Sequence, residues 1–230
     1  MNPSMIKRAC GQTSLAAVCE LEPGRVAKLL PAPLTAIADR AFIYLVWCSL
    51  YSETSTVRER SFLEANIAIP CDGPAGEGTW FAAAYFNSRQ IVRHAHLSGW
   101  VGEHAQIEIG RVPAGVARLV WPSRAPVGGW VARGGRREIE MVVRPGEEVD
   151  LDTTPLHRFL RVYGVRQFAD QPDVTLEWHN EDVIHRIREA NAELTLAGDA
   201  AALLGPVTVS SAYLMEFGID LGGSRLVSGR

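Results

Sequence analysis

The chain has 230 residues, enough for one sizeable hydrophobic core, and its formal net charge is −3. Hydrophobic residues make up 47% and charged residues 21%, an ordinary balance for a soluble globular protein. The small negative charge gives no electrostatic reason to expect a nucleic acid or an anionic membrane as a partner, and no apolar stretch reaches the roughly 18 residues that a membrane-spanning helix needs.

The predicted elements are mostly short strands. The first is SLAAVCEL, followed by a short helix in PGRVAKLL that Pro31 and Pro33 end. AFIYLVWCSLY is a continuous apolar run, which is typical of a strand covered on both faces. Alternation and β-branched or aromatic content predict further strands in SFLEANIAIP, TWFAAAYF, HAQIEIGRV, VARLVW, GWVARG, REIEMVVRP, PDVTLEW and VTVSSAYLMEFGIDL.

Two segments fit either a helix or a strand. PLHRFLRVYGV is one, and DVIHRIREANAELTLAG is the other, with helical periodicity in its first half and strand alternation in AELTLAG. Many short strands with few helices predict an antiparallel, barrel-like α+β or mostly-β fold. No repeat or linker divides the chain, so we expect residues 1–230 to form a single domain, in which the polar residues 1–10 can be a disordered arm.

The four cysteines show neither a CxxC pair nor the spacing of metal ligands; they are Cys10, Cys19, Cys48 and Cys71. Cys48 lies in an apolar run, where a buried free thiol is expected. The N-terminal residues are too polar for the core of a signal peptide. We therefore expect the protein in a reducing cytoplasm.

Three stretches resemble the acetoacetate decarboxylase superfamily. ELEPGRVAKLLPAPL is similar to the family's first strand and short helix, SFLEANIAIPCDGPAGEGTWFAAAYFNS to its glutamate-bearing strand and long aromatic strand, and GPVTVSSAYLMEFGIDLGG to its closing strands. The resemblance implies the family's cone-shaped antiparallel β-barrel, with few short helices, enclosing a ligand cavity over roughly residues 10–225. It also implies a homo-oligomer, since family members are commonly oligomeric.

The resemblance implies a lysine that this chain lacks. In the family, a lysine amine condenses with the substrate keto group, and a neighbouring cation keeps that amine unprotonated. The corresponding pair falls in LSGWVGEHAQ, either on Gly102 and Glu103 or on Glu103 and His104. The only lysines are Lys7, in the polar arm, and Lys28, in a helix expected to face solvent. We therefore predict that the protein is not a lysine-dependent decarboxylase.

The family's remaining site positions fall on Gln12 in place of an arginine, on Tyr44 in place of one glutamate, and on Glu64, which matches the second glutamate. In a family-like cavity, desolvation would raise the pKa of Glu64 toward neutrality. Glu64 could then share acid/base work with Glu103 or His104 at the vacated lysine site, while Tyr44 polarises a carbonyl. The alternatives are a Glu64 carboxylate paired with an arginine and a Tyr44 ring that only packs in the core.

The candidate substrate-binding residues are Trp100, Tyr85 and Gln12. Several aromatic residues could line a hydrophobic pocket, although core packing explains most of them equally well; they are Trp47, Trp80, Phe81, Tyr85 and Trp100.

A metal site is the weaker interpretation of the histidines. His94 and His96 would point to the same side of a predicted strand and, with Glu103, resemble the HxH…E ligands of cupins. The gap from His96 to Glu103 is too long for that motif, and exposed or hydrogen-bonded histidines on the strand's outer face are the simpler explanation. We predict no metal and no cofactor.

Three functions compete, and a lyase or decarboxylase that works by another mechanism on the same fold is a further alternative. The first is an enzyme that performs acid/base chemistry, such as dehydration, isomerisation or cyclisation, on a keto or polyketide-like small molecule, in secondary metabolism. The second is a small-molecule-binding protein whose catalytic site has decayed. The third is a metal-dependent, cupin-like enzyme. We favour the first because Glu64 is retained and ionisable groups replace the lysines.

Overall fold

The computed structural model describes residues 8–50, 61–97, 100–110, 125–158, 161–168 and 171–228. Strands dominate this part of the chain. They are β1 Arg8–Leu21, β2 Thr35–Ala36, β3 Arg40–Leu50, β4 Ser61–Gly73, β5 Gly76–Phe86, β6 Glu103–His104, β7 Gln106–Ile109, β8 Val127–Arg133, β9 Arg136–Glu148, β10 Arg161–Phe168, β11 Gln171–Leu196 and β12 Val207–Ser228. The α-helices are α1 Arg25–Leu29, α2 Arg89–Leu97 and α3 Gly198–Leu204, and two 3₁₀ turns span Leu151–Thr153 and Pro155–Arg158.

The strands form one sheet in the order β10-β5-β4-β3-β1-β12-β11-β9-β8-β7. Because β10 pairs with β11 as well as with β5, the path through the first seven strands returns to its start and the sheet is barrel-like. Among the described residues, two pairs join β5 to β10, Thr79 with Val162 and Trp80 with Tyr163. The predicted mostly-β, barrel-like fold is confirmed.

Both faces of the central strands are buried. On one face, Leu15 of β1 and Ile43 of β3 belong to the main core, which β7–β9 and α3 cover. On the other face, Ala16 and Phe42 belong to a second cluster with residues of β12. This burial explains the continuous apolar run in β3, because a strand with no solvent face has no polar alternation.

The histidine pair lies on a helix, so the predicted strand is wrong there. In α2, Ile91 and Ala95 are four residues apart and pack together against β5, which is helical spacing. The Ser88 hydroxyl accepts a hydrogen bond from the Ile91 N–H at 3.3 Å, as an N-cap does. His94 and His96, two positions apart on a helix, therefore do not share a side. Among the described residues, no three His, Cys, Asp or Glu side chains could hold a metal ion.

The ambiguous segments have definite outcomes. DVIHRIREANAELTLAG is strand in β11 as far as Leu196, and PLHRFLRVYGV is a 3₁₀ turn followed by β10. β1 begins at Arg8, so residues 8–10 of the expected disordered arm belong to a strand. Residues 1–7 and the predicted strand VARLVW lie outside the described residues. No helix in the described ranges is both long enough and apolar enough to cross a membrane.

Candidate active site

Glu64 lies on β4, in an apolar part of the second face of the sheet. It stands opposite Val46 of β3 and Phe86 of β5, and directly opposed residues in a sheet project from the same face. Val46, Phe86 and Phe62 form a buried cluster with the core-facing side of α2. A carboxyl group placed here has few water molecules to solvate its charge.

Two polar side chains contact the Glu64 carboxyl group. Asn66, two residues along β4 and on the same face, donates a hydrogen bond from Nδ2 to Oε1 at 2.9 Å. The Cys48 thiol donates a second hydrogen bond. Desolvation raises the pKa of Glu64 from 4.5 to about 7, although both hydrogen bonds act to lower it. Both protonation states are therefore populated near neutral pH, as a group that takes and returns protons requires.

Tyr44 and Gln12 share the face of Glu64. Tyr44 stands opposite Asn66 in the β3–β4 ladder, and Gln12 stands opposite Cys48 in the β1–β3 ladder. Tyr44 is partly buried, and its ring stacks on Phe42 with centroids 6.2 Å apart. The structure thus groups on one surface Glu64, which matches a family site residue, and Gln12 and Tyr44, which stand in place of two others; their roles in catalysis stay predictions.

Glu103 and His104, predicted to fall at the family's lysine positions, point to opposite faces. β6 runs parallel to β5, with Glu103 opposite Tyr85 and His104 opposite Phe86. His104 is exposed and stands in the same row as Phe86 and Glu64. Glu103 projects to the other side, where it forms an ion pair with Arg133. Of this pair, only His104 shares the face of Glu64, with Phe86 between the two residues.

Tyr85 shares the face of Glu103. It is buried in the main core, and its pKa is raised by desolvation and then by the nearby Glu138 carboxylate. Arg133 contacts Glu103, Glu138 and Asp199, while Glu138 accepts hydrogen bonds from the first N–H groups of α3. These groups therefore form an ion-pair network that anchors α3, and the structure does not bring Tyr85 to Glu64.

Gly102 has little room for a side chain. A Cβ atom there would lie 3.1 Å from the Ala95 Cβ and 3.2 Å from the Phe86 Cε2. The Gly102 carbonyl accepts a hydrogen bond from His96 Nε2 at 2.7 Å, which ties this segment to α2. In the alignment that puts the family lysine at this position, α2 and Phe86 fill the space that the lysine would need. Lys28 is exposed on α1, as expected, and Lys7 lies outside the described residues.

A cavity of about 240 Å³ lies where β10 diverges from β5. Its walls include Trp80, Phe81, Trp100, Val101, Tyr163 and Val165. The Phe81 and Trp100 rings meet nearly perpendicularly, at 85° with centroids 5.7 Å apart. Trp100, Trp80 and Phe81 were among the predicted lining residues, whereas Trp47 lies on the opposite face from Glu64.

Hydrogen bonds and a buried ion pair fix the β10 side of the cavity. The Tyr163 hydroxyl donates to the Gly76 carbonyl at 2.7 Å and accepts from the Ala75 N–H at 3.2 Å. Arg161 Nε lies 2.5 Å from Oε1 of Glu177, whose side chain is 1% exposed. Arg161 also donates to the Glu77 carbonyl at 3.1 Å. The tyrosine ring and the arginine are therefore engaged with the protein.

Sequence reasoning missed Asn66, Cys48 and Tyr163. The signal for Asn66 was available, since a polar residue two positions from Glu64 on a strand must share its face. Cys48 and Tyr163 reach their places through pairing between strands, which no local pattern encodes.

Comparison with known proteins agrees with this fold. The model of the family described as "Acetoacetate decarboxylase (ADC)" matches residues 1–230. The enduracididine biosynthesis enzyme MppR, solved in complex with pyruvate, superposes with a TM-score of 0.83 at 20% identity, over 100% of this chain and 92% of that chain. MppR has also been solved with the condensation product of pyruvate and imidazole 4-carboxaldehyde, at a TM-score of 0.82 and 19% identity, over 99% of this chain and 89% of that chain.

Two further solved structures are similar. An acetoacetate decarboxylase-like enzyme from Sphingomonas wittichii RW1 has a TM-score of 0.82 at 19% identity, covering 97% of this chain and 93% of its own. Acetoacetate decarboxylase from Legionella pneumophila has a TM-score of 0.74 at 11% identity, covering 97% and 88%. At these identities the structures show the fold alone. No curated protein matches the sequence.

Proposed function

Because the chain belongs to the acetoacetate decarboxylase family, we propose that it is an enzyme of small-molecule metabolism that uses Glu64 for acid/base chemistry and forms no lysine Schiff base. The observation that carries this proposal is the Glu64 carboxyl group, held in an apolar cluster by Asn66 with a pKa of about 7. A carboxyl group with a pKa near the working pH exchanges protons most effectively.

The chemistry begins with a proton on the carbon next to a substrate carbonyl. The Glu64 carboxylate removes that proton, the C–H electron pair becomes the C=C bond of an enolate, and the carbonyl oxygen takes the negative charge. Tyr44 can donate a hydrogen bond to that oxygen. Protonated Glu64, or His104 in the same row, then returns a proton to another atom. This sequence serves dehydration, isomerisation or cyclisation of a keto or polyketide-like compound.

The solved relatives support a carbonyl substrate. MppR binds pyruvate, a keto acid, and a condensation product of pyruvate with an aldehyde. Pyruvate carries acidic C–H bonds next to its keto group, as the proposed Glu64 chemistry needs. The inference from MppR to this chain rests on the shared fold and on the retained glutamate.

Proton exchange tests the proposal without knowledge of the natural substrate. In D₂O, we expect the wild-type chain to speed the loss of α-proton NMR signals of pyruvate or of 4-phenylbutan-2-one. The rate should rise as pH increases through about 7, because the carboxylate is the base. Glu64→Gln should exchange at the buffer rate, whereas Glu22→Gln, at an exposed turn, should match wild type.

Two outcomes contradict this function. One is a Glu64→Gln variant that exchanges protons as fast as wild type. The other is a stable mass adduct on Lys7 or Lys28 after borohydride reduction with a β-keto acid, which would reveal a Schiff base.

A small-molecule-binding protein without catalytic activity is the second candidate. It is favoured by the Glu103–Arg133 ion pair, which holds Glu103 on the opposite face from Glu64, and by the lack of room for a larger side chain at Gly102. This candidate predicts that no compound in a broad screen is converted and that Glu64→Gln changes ligand affinity only modestly.

We also propose a cytoplasmic location and a homo-oligomeric state. The described cysteines Cys19, Cys48 and Cys71 are buried free thiols, which suits a reducing compartment. The oligomer rests on family membership, and light scattering of the purified chain would measure it.

A further inference from the structure

We propose that the cavity between β5 and β10 binds an uncharged aromatic ring, so that the substrate is an aryl-substituted neutral ketone or aldehyde and not a short keto acid. This inference rests on the proposed function, because it names the substrate class for the same site. It follows from the size of the cavity, the character of its walls and its position relative to Glu64.

The volume fits one ring with a short substituent. The cavity holds about 240 Å³. An apolar protein cavity of about 150 Å³ accommodates benzene, and water occupies about 30 Å³ per molecule in the liquid. The remaining space suits a chain of a few atoms. Two fused rings with long substituents would not fit, and a three-carbon keto acid would leave much of the wall without contacts.

The walls favour an uncharged, flat ligand. Every described residue that lines the cavity is apolar or aromatic. Phe81 and Trp100 already meet edge to face, the geometry in which an inserted ring would gain favourable contacts. Arg161, two residues before Tyr163, is occupied by Glu177 and by the Glu77 carbonyl. No described residue of the wall is cationic, so a carboxylate in this cavity would lose hydration without gaining a cation from these residues, which is unfavourable.

One wall of the cavity lies on the same face of the sheet as Glu64. Phe81 stands opposite Ala68 and thus projects from the same face as Glu64, four residues along β4. At about 3.3 Å per residue, the two rows are roughly 13 Å apart between Cα atoms, and the row of Tyr44 and Asn66 lies between them. Val101, which is 45% exposed, places an apolar side chain at the cavity wall next to solvent. A ring held by Trp100 can therefore direct its carbonyl-bearing chain along this face.

Calorimetric titration of the full chain with matched probes tests the ring and the charge separately. The probes are 4-phenylbutan-2-one, butan-2-one, which lacks the ring, 3-phenylpropanoate, which carries a charge, and pyruvate. We expect 4-phenylbutan-2-one to bind at least tenfold more tightly than each of the others. Equal or tighter binding of pyruvate or 3-phenylpropanoate would overturn the inference.

Variants locate the binding site. Trp100→Ala should weaken 4-phenylbutan-2-one binding at least fivefold, while Trp130→Ala, whose ring stacks on Arg137 at 5.1 Å outside the cavity, should leave it unchanged. If Trp100→Ala does not fold, Val101→Lys at its exposed position provides the test. It should improve 3-phenylpropanoate binding at least threefold, and an unchanged affinity would contradict the assignment.

Glu64→Gln separates this inference from the proposed function. The variant should still bind 4-phenylbutan-2-one within twofold of wild type. If the wild-type protein binds 4-phenylbutan-2-one as expected but exchanges no protons, the catalytic proposal alone is refuted. If it exchanges the protons of pyruvate but binds 4-phenylbutan-2-one no more tightly than the other probes, the ring site alone is refuted.

Discussion

Replacing Glu64 with glutamine should change how stability depends on pH, and the effect can be measured without any substrate. The unfolded chain has the ordinary carboxyl pKa of 4.5, whereas the folded protein holds this proton up to about pH 7. Between these values the folded state binds more protons than the unfolded state. Rising pH therefore lowers the free energy of unfolding across this window.

The size of the effect follows from the shift. A displacement from 4.5 to about 7, at about 1.4 kcal/mol for each pH unit, corresponds to a loss of about 3 kcal/mol once the pH is above both values. Between about pH 5.5 and about pH 8 the loss is about 2 kcal/mol. Glutamine is neutral at both pH values. The free energy of unfolding of Glu64→Gln minus that of wild type should therefore be about 2 kcal/mol larger at the higher pH than at the lower.

Urea unfolding of both proteins at the two pH values measures this difference, because the titration of every other group cancels between them. Glu22→Gln, at an exposed turn, is the matched control and should differ from wild type equally at both pH values. If the difference between wild type and Glu64→Gln is also independent of pH, the Glu64 carboxyl group is not desolvated and the basis for its proposed catalytic role is lost.

Two further predictions concern packing near the site. Arg161→Met should lower the free energy of unfolding by about 3–5 kcal/mol because it leaves the buried Glu177 carboxylate without its cation. Arg144→Met breaks an exposed ion pair and should lower it by less than about 1 kcal/mol. Equal losses for the two variants in chemical denaturation would contradict this. Gly102→Ala should lower the free energy of unfolding by about 1–3 kcal/mol because the added Cβ would lie 3.1 and 3.2 Å from its neighbours. Gly128→Ala, whose Cβ would have contacts at 3.5 and 3.6 Å, should be neutral or slightly stabilising. Thermal unfolding of both variants measures the difference, and equal effects would contradict the reasoning.

The fold was predictable where a pattern is local. The apolar run of β3 predicted burial on both faces, and Ile43 and Phe42 indeed belong to different clusters. Helix α2 was missed because the alternation at His94 and His96 masked the helical spacing of Ile91 and Ala95. Short amphipathic segments carry both signals, and packing against β5 selects the helix.

The candidate site was predictable only in part. The pKa shift of Glu64 follows from placing a retained glutamate in an apolar barrel, which the resemblance supplied. The separation of Glu103 from His104 depends on two residues pairing with β5 in parallel, an arrangement without a local signature. The ion pair between Glu103 and Arg133 likewise joins residues distant in the chain. Sequence reasoning found the ionisable groups but could not assign them to a face.

The pairing of β1 with β12 has a consequence for how the chain reaches its native state. Leu15 stands opposite Leu214, and the two residues are about 200 positions apart. At about 5–20 residues per second, a ribosome needs roughly 10–40 seconds to make the partner after β1 emerges. During that interval β1 can pair with β3 on one side only, so its other edge is open to strands of neighbouring nascent chains. Pairing of β1 with β12 must therefore wait until β12 has been made, and slow synthesis or crowded polysomes should favour aggregation.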